Sequence, residues 1–361
     1  MPISVFGTKQ TRGPRMMDPS MRSWVFLEPG KLELREVDTP FIEDENEAIV
    51  RPLVMGRCDL DRLYMRGYLP MGSGEPIGHE IIGEIVDLGT LAEAGFARGD
   101  RVIVSAQISC GSCDMCRTGN SGRCRSVPFA ASYGMGREGG YGGGLSDYIK
   151  VPFAKAMMVP LPEQLDAGQS IGLADMASDA WRSVGPPLKE RPGASVLVLG
   201  GLVPVIGIYA AAIAMRSGAA GVLYCDPDPA NREAAALYGV DTASAPDSLS
   251  NEPAFDVIVD ASGNREWLRK AFELVKPAGT ITGVAPDFVS GELPLMQAYQ
   301  KGVSFELGRP NCREGIPPAI STHLHCGFDP SLVGPRLFSF EEAGEAWASD
   351  NLYVAVEASK Q

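Results

Sequence analysis

Histidine is nearly missing from this chain: of three in 361 residues, His323 and His325 sit close together near the end and His79 stands alone. Imidazole chemistry ahead of that tail has one candidate. Positive charge is also short. The 32 Lys and Arg against 45 Asp and Glu leave a formal net charge of −13, which argues against a nucleic-acid or anionic-membrane partner. The longest apolar run, Val203 to Met215, is too short to span a bilayer. The first twenty residues carry Lys9, Arg12 and Arg15 with no apolar stretch behind them, so no secretory signal is expected and the cytoplasm is the expected location. Cys58, Cys225, Cys312 and Cys326 are widely separated, which suits a reducing compartment better than a disulfide scaffold. There is no internal repeat.

The other four cysteines lie together. Cys110, Cys113, Cys116 and Cys124 are separated by two, two and seven residues, and the Gly, Ser, Asp, Thr and Asn between them suit a lobe that turns back repeatedly around one tetrahedral zinc ion. Two disulfides, four unrelated buried thiols and an iron–sulfur cluster are the rival readings. Such tight spacing disfavours disulfides between neighbours, and polar turn residues are a poor place to bury apolar thiols. Four thiolates leave no open coordination position, so this zinc is structural.

The pattern along the chain changes near residue 165. From about Trp24 to Pro160, short strand-like runs (Ala48 to Leu53, Ile81 to Leu88, Arg101 to Ala106, Asp147 to Val151) are punctuated by Gly and Pro, as in an all-β, barrel-like domain. Beyond Leu165, strand and helix patterns alternate, the signature of a parallel sheet covered by helices. The tail after about Gly308 loses this rhythm and is expected to return to the first domain. The division is therefore 1–165 with 308–361, and 166–307.

In the second segment the strand Ser195 to Leu199 runs into Gly200, Gly201 and, before a helix, Val205, Ile206 and Gly207. This arrangement brings backbone amides and a helix amino terminus against a pyrophosphate. The match to a GxGxxG fingerprint is imperfect, because Gly201 to Gly207 is one residue too long and lacks the middle glycine. The next strand ends at Asp226, where a carboxylate can accept both ribose hydroxyls of NAD and repel a 2′-phosphate; a turn or helix cap is the plainer role for it beside Pro227 and Asp228. A third constellation joins Cys58 to His79 and Glu80, ligand types that suit zinc, although an isolated cysteine or histidine is more often structural.

The order of these motifs is specific. Cys58, then Gly78–His79–Glu80, then GDRV at 99–102, then the four-cysteine lobe, then the nucleotide segment resembles the zinc-containing medium-chain alcohol dehydrogenases over nearly the whole chain from Met21. The resemblance implies an α/β protein: a GroES-like β-barrel catalytic domain, a Rossmann doubly wound parallel-sheet domain, and an active site between them. It implies a catalytic zinc on Cys58 and His79, with Glu80 as an intermittent ligand, Asp61 supporting His79, and Val284 and Ala285 near the nicotinamide. The next ligand falls at Asp175, where many relatives place cysteine and a subgroup that includes formaldehyde and secondary-alcohol dehydrogenases places aspartate; the plainer role for Asp175 is a helix cap.

The implied reaction passes a hydride from an alcohol (a polyol, sugar or secondary alcohol) to NAD, the alcohol oxygen losing its proton on zinc. A homo-oligomer, dimer or tetramer, and two zinc ions per chain are implied with it. Leu60 departs from the pattern, since relatives often carry there a hydroxyl that relays the substrate proton. The glycine-rich run from Tyr133 to Asp147, with Arg137, Glu138 and Tyr141, connects strands or passes over a ligand, and its polarity points to a hydroxylated substrate. An aldehyde-oxidising or dismutating enzyme of the formaldehyde dehydrogenase type is the alternative, and a non-catalytic NAD-binding zinc scaffold the third reading. Zinc content and a substrate panel separate the three.

Overall fold

Runs rich in Val and Ile become strands and end where Gly or Pro interrupts them. The computed structural model describes residues 17–136, 140–249, 253–285 and 291–359, so Lys9, Arg12, Arg15, Arg137 and Glu138 lie outside the described residues. Seven strands form the first sheet. Its path runs Arg336–Ser339, Val354–Glu357, Ala48–Gly56, Glu80–Leu88, Arg101–Val104, Met158–Pro160, with Ile149–Val151 paired to Ala48–Gly56. The two late strands thus pair with the early ones in one sheet. A ribbon of Ser20–Glu28 and Lys31–Asp38 lies beside this sheet, and its Phe26 and Leu32 share a core with Met55, Trp347 and Val354.

The second sheet is parallel and six-stranded. Spatially it runs Asp241–Ala243, Gly221–Cys225, Ser195–Leu199, Phe255–Asp260, Val275–Gly283, Ser304–Leu307, which in chain order is third, second, first, fourth, fifth, sixth: the doubly wound arrangement. Leu199 pairs with Asp260 at the carboxyl ends of the two central strands, where the strand order reverses and ligands of such sheets bind. The central strands are buried on both faces, which accounts for their unbroken apolar runs.

Two long helices lie between the sheets. Met176–Glu190 and Cys312–Cys326 pack against each other and against Pro204–Arg216. One apolar core therefore extends from Val54, Ile82 and Ile103 of the first sheet through Leu173 and Met176 to Val196, Val198 and Ile208 of the second. No helix among the described residues is long and apolar enough to cross a membrane.

Candidate active site

Three side chains from three separate elements meet in this shared core. Cys58 precedes the short helix Asp59–Met65, His79 precedes the strand Glu80–Leu88, and Asp175 precedes the helix Met176–Glu190. Their ligand atoms lie within 4.8 Å of one another, and all three residues are buried. Cys58 Sγ is 3.2 Å from Asp175 Oδ2, and His79 Nε2 is 3.6 Å from the same oxygen. Gly78 lets the chain reach this point: its φ of 90° is in the left-handed region, and a Cβ there would press on Leu145 N at 3.1 Å.

Asp61 stands behind two of the three. It accepts from Cys58 N through Oδ2 at 3.1 Å, and its Oδ1 is 3.5 Å from His79 Nδ1. Neither ring nitrogen of His79 has a hydrogen-bond partner although the ring is wholly buried. An orphaned buried imidazole nitrogen, pointed at a thiol and a carboxylate, is the environment a zinc ion completes. The charges agree with this. Burial and then the Asp175 and Glu80 carboxylates push the Cys58 thiol well up, a cost that a cation removes. Burial alone would lower His79, but Asp61 and Asp175 outweigh it and raise the imidazole to about 9. Burial pushes Asp175 up, but the nearby His79 imidazole, with hydrogen bonds from the Cys312 and Cys58 thiols, outweighs it and holds the carboxyl below its usual range.

Asp175 occupies the cap position of its helix, yet its side chain makes no capping bond. Glu80 takes that task instead. Its Oε1 accepts from Met176 N at 3.2 Å and its Oε2 from the Tyr353 hydroxyl at 2.8 Å, so both oxygens are engaged away from the cluster of three. Burial, then Asp175, raise Glu80 to about 8.

The second cysteine group is equally compact. The four Sγ atoms of Cys110, Cys113, Cys116 and Cys124 lie within 4.8 Å of one another, and Cys113 Sγ is 3.9 Å from Cys124 Sγ. That is close to the sulfur–sulfur edge of about 3.8 Å that a tetrahedron with Zn–S bonds of about 2.3 Å requires. Backbone N–H groups of Ser112 and Cys113 point at Cys110 Sγ at 3.4 and 3.3 Å, and that of Cys110 at Cys124 Sγ at 3.4 Å, as suits thiolates. All eight cysteines are free.

With both groups in place, the comparisons with known proteins fall in line. Residues 44–163 match the alcohol dehydrogenase GroES-like domain. Zinc-type alcohol dehydrogenase B of Aspergillus flavus is 28% identical over 360 residues, covering 94% of this chain and 80% of that protein. The chain belongs to the zinc-containing medium-chain alcohol dehydrogenase family. Glutathione-independent formaldehyde dehydrogenase of Pseudomonas aeruginosa is 30% identical over 264 residues, covering 67% of this chain and 65% of that protein. Among solved structures, alcohol dehydrogenase TADH from Thermus sp. ATN1 superposes with a TM-score of 0.84 at 26% identity, covering 94% of this chain and all of that one.

The nucleotide side of this dehydrogenase holds surprises. The Gly200–Gly207 segment does join the first strand to the helix Pro204–Arg216. Val284 and Ala285 sit at the carboxyl end of Val275–Gly283, both with N–H toward Asp260 O. Asp226 ends the second strand, but it has no exposed surface and its carboxylate faces inward. Oδ1 accepts from Asp228 N at 2.8 Å, and Oδ2 from the Tyr224 hydroxyl at 2.7 Å and Asn231 Nδ2 at 3.1 Å. The turn-building role of Asp226 is thus visible, and no face of it is open to a ribose.

Two residues near the metal cluster had no signal in the sequence. Cys312 Sγ donates to Asp175 Oδ1 at 2.8 Å, and Tyr353 holds Glu80. Both are distant in sequence from every motif. Leu60 packs on an apolar group made of Tyr64, Ala106, Met135 and Cys312.

Proposed function

We propose that this protein is a zinc- and NAD-dependent oxidoreductase that removes a hydride from the carbon of an alcohol, with catalytic zinc on Cys58, His79 and Asp175 and structural zinc on Cys110, Cys113, Cys116 and Cys124. The observation that carries the reading is the buried cysteine–histidine–aspartate cluster with its unpartnered His79 Nε2, set between the two sheets. Zinc held there supplies a Lewis acid that lets a hydroxyl lose its proton near neutral pH.

The chain's own contributions are positional. Asp61 accepts from the Cys58 amide and sets its other oxygen 3.5 Å from His79 Nδ1, so one carboxylate stands behind both donors. Cys312 orients Asp175 from the far side, leaving Oδ2 for the metal. Glu80 becomes a ligand only by giving up Met176 N and Tyr353. The loop Gly200, Gly201, Val205, Ile206 and Gly207 marks the cofactor's diphosphate end and Val284 with Ala285 the nicotinamide end, while Asp226 shapes the turn after the second strand and leaves the ribose to other groups.

The substrate reading follows from the wall beside the metal. Leu60, Ala106, Met135 and Cys312 are apolar or weakly polar, and the Tyr64 hydroxyl is committed to Met135 O at 3.2 Å. Such a wall suits an apolar secondary alcohol or small aldehyde better than a polyol or sugar. Leu60 carries no proton, so the substrate proton leaves by another route. NADH formation across primary and secondary alcohols, polyols, sugars and formaldehyde, with zinc counted per chain, tests the whole reading. One zinc and no turnover on any of them would leave only the scaffold.

A homo-oligomer is supported by one edge of the parallel sheet. Leu295, Met296 and Tyr299 are 67%, 70% and 82% exposed on the helix Leu295–Lys301, and Leu307 is 64% exposed on the edge strand Ser304–Leu307. An apolar patch next to a strand edge that is unpaired among the described residues is a surface for a second copy. The wide separation of Cys225, Cys312 and Cys326, which the zinc groups do not use, suits a reducing compartment and supports a cytoplasmic location.

A further inference from the structure

A dinucleotide's diphosphate is expected at the amino terminus of the helix Pro204–Arg216, and a side chain of this protein already fills that position. Asp59, directly after Cys58, is buried. Its Oδ2 accepts from Ile206 N at 3.0 Å, and the neighbouring Val205 amide also favours the charged carboxylate. Its Oδ1 faces Arg62 Nη1 at 3.6 Å, and both of those buried atoms lack a hydrogen-bond partner. Gly201 aside, the remaining donors of the loop are spent internally: Gly200 N on Cys225 O, Leu202 N on Ser262 O, Val203 N on Ala261 O and Gly207 N on Val203 O, while Pro204 has none. The capacity of this loop to hold an anion is concentrated where the Asp59 carboxylate sits.

We propose that Asp59 is a resident stand-in for a diphosphate oxygen: it occupies the anion site formed by the Val205 and Ile206 amides and Arg62, and an incoming dinucleotide must displace it. The proposal rests on the reading of the Gly200–Gly207 loop as the cofactor site. Two anions cannot share these donors, so Asp59 holds cofactor affinity down and Arg62 is released to the diphosphate when Asp59 withdraws. This makes Asp59 a determinant of cofactor affinity that acts against binding, where a residue lining a phosphate site is ordinarily expected to help.

The test compares the zinc-loaded parent with Asp59→Asn, Asp59→Ser and Arg62→Gln. Inorganic pyrophosphate and ADP-ribose are titrated by calorimetry, NADH by fluorescence and adenosine as the control. With a like charge removed from the site, both Asp59 variants should bind pyrophosphate, ADP-ribose and NADH about tenfold or more tightly. Adenosine should be unaffected, and Arg62→Gln should bind the diphosphates more weakly than the parent. Zinc content and thermal unfolding report folding, and if one Asp59 variant fails to fold the other carries the comparison with Arg62→Gln. Folded Asp59 variants that bind ADP-ribose no tighter than the parent overturn the proposal, even if the parent forms NADH. A parent that binds no dinucleotide, beside Asp59 variants that gain pyrophosphate binding, overturns the cofactor reading and leaves the anion site standing.

Discussion

Replacing Asp175 by Asn isolates what its charge does. The side chain makes no capping bond, and the first amide of its helix, Met176 N, is held by Glu80. Asn therefore costs the helix nothing that Asp was providing, and either residue caps equally well in any case. The whole effect should fall on the metal. Losing an outer partner of a zinc ligand commonly costs 10–100-fold in affinity, so loss of a charged ligand should reach at least about 100-fold, or about 2.8 kcal/mol. The carboxamide also replaces one of the two oxygens by an NH2 donor, facing either Cys58 or Cys312, whose Sγ atoms lie 3.2 and 2.8 Å from the present oxygens. The assay is chelator competition on the purified protein, with the four-cysteine zinc as an internal reference that should not move, together with turnover against pH. Expected is selective loss of one zinc and collapse of turnover near neutrality. Full occupancy with parental turnover would refute the assignment of Asp175 as a ligand.

Further outcomes are expected elsewhere. Cys113→Ser should release the other zinc and lower the melting temperature, since a hydroxyl replaces thiolate poorly; a variant that keeps two zinc ions and the parental melt rules out the four-cysteine site. Cys312→Ala should weaken the catalytic zinc roughly 10–100-fold while Cys312→Ser, which keeps a donor for Asp175, should restore most of it; equal losses in both would show that packing alone is at stake. Zinc uptake by the catalytic site should strengthen as pH rises toward about 9, because His79 must give up its proton to bind. In the zinc-free protein the sign reverses: His79 and Glu80 have raised folded values of about 9 and about 8, so their stabilisation is complete at low pH and is lost as pH climbs through those values. Denaturant midpoints of the zinc-free protein that rise over that range would contradict the assignment.

Much of the protein could be read from the order of its residues. The four-cysteine lobe was legible because all its ligands lie within fifteen positions, so spacing alone dictates that they meet. The strands Ser195–Leu199, Gly221–Cys225 and Phe255–Asp260 were legible because burial on both faces demands continuous apolar runs. Cys58, His79 and Asp175 are singled out only by resemblance; each lies just before a strand or helix, and the fold brings the three together.

Other features depended on the folded chain. The helices Met176–Glu190 and Cys312–Cys326 carry the pairs Pro186–Pro187 and Pro317–Pro318, which read locally as breaks; packing against each other and against Pro204–Arg216 sustains them where propensity does not. That packing alone brings Cys312 to Asp175 across 137 positions and Tyr353 to Glu80 across 273. The same holds for Asp226, turned inward by Tyr224 and Asn231, and for Asp59, drawn onto the helix of the other sheet across 147 positions. Sequence determines which groups are available and which neighbours must meet. Whether a carboxylate caps a helix, faces a metal or fills an anion site is decided by what the tertiary fold sets against it, because a buried charge goes where partners are.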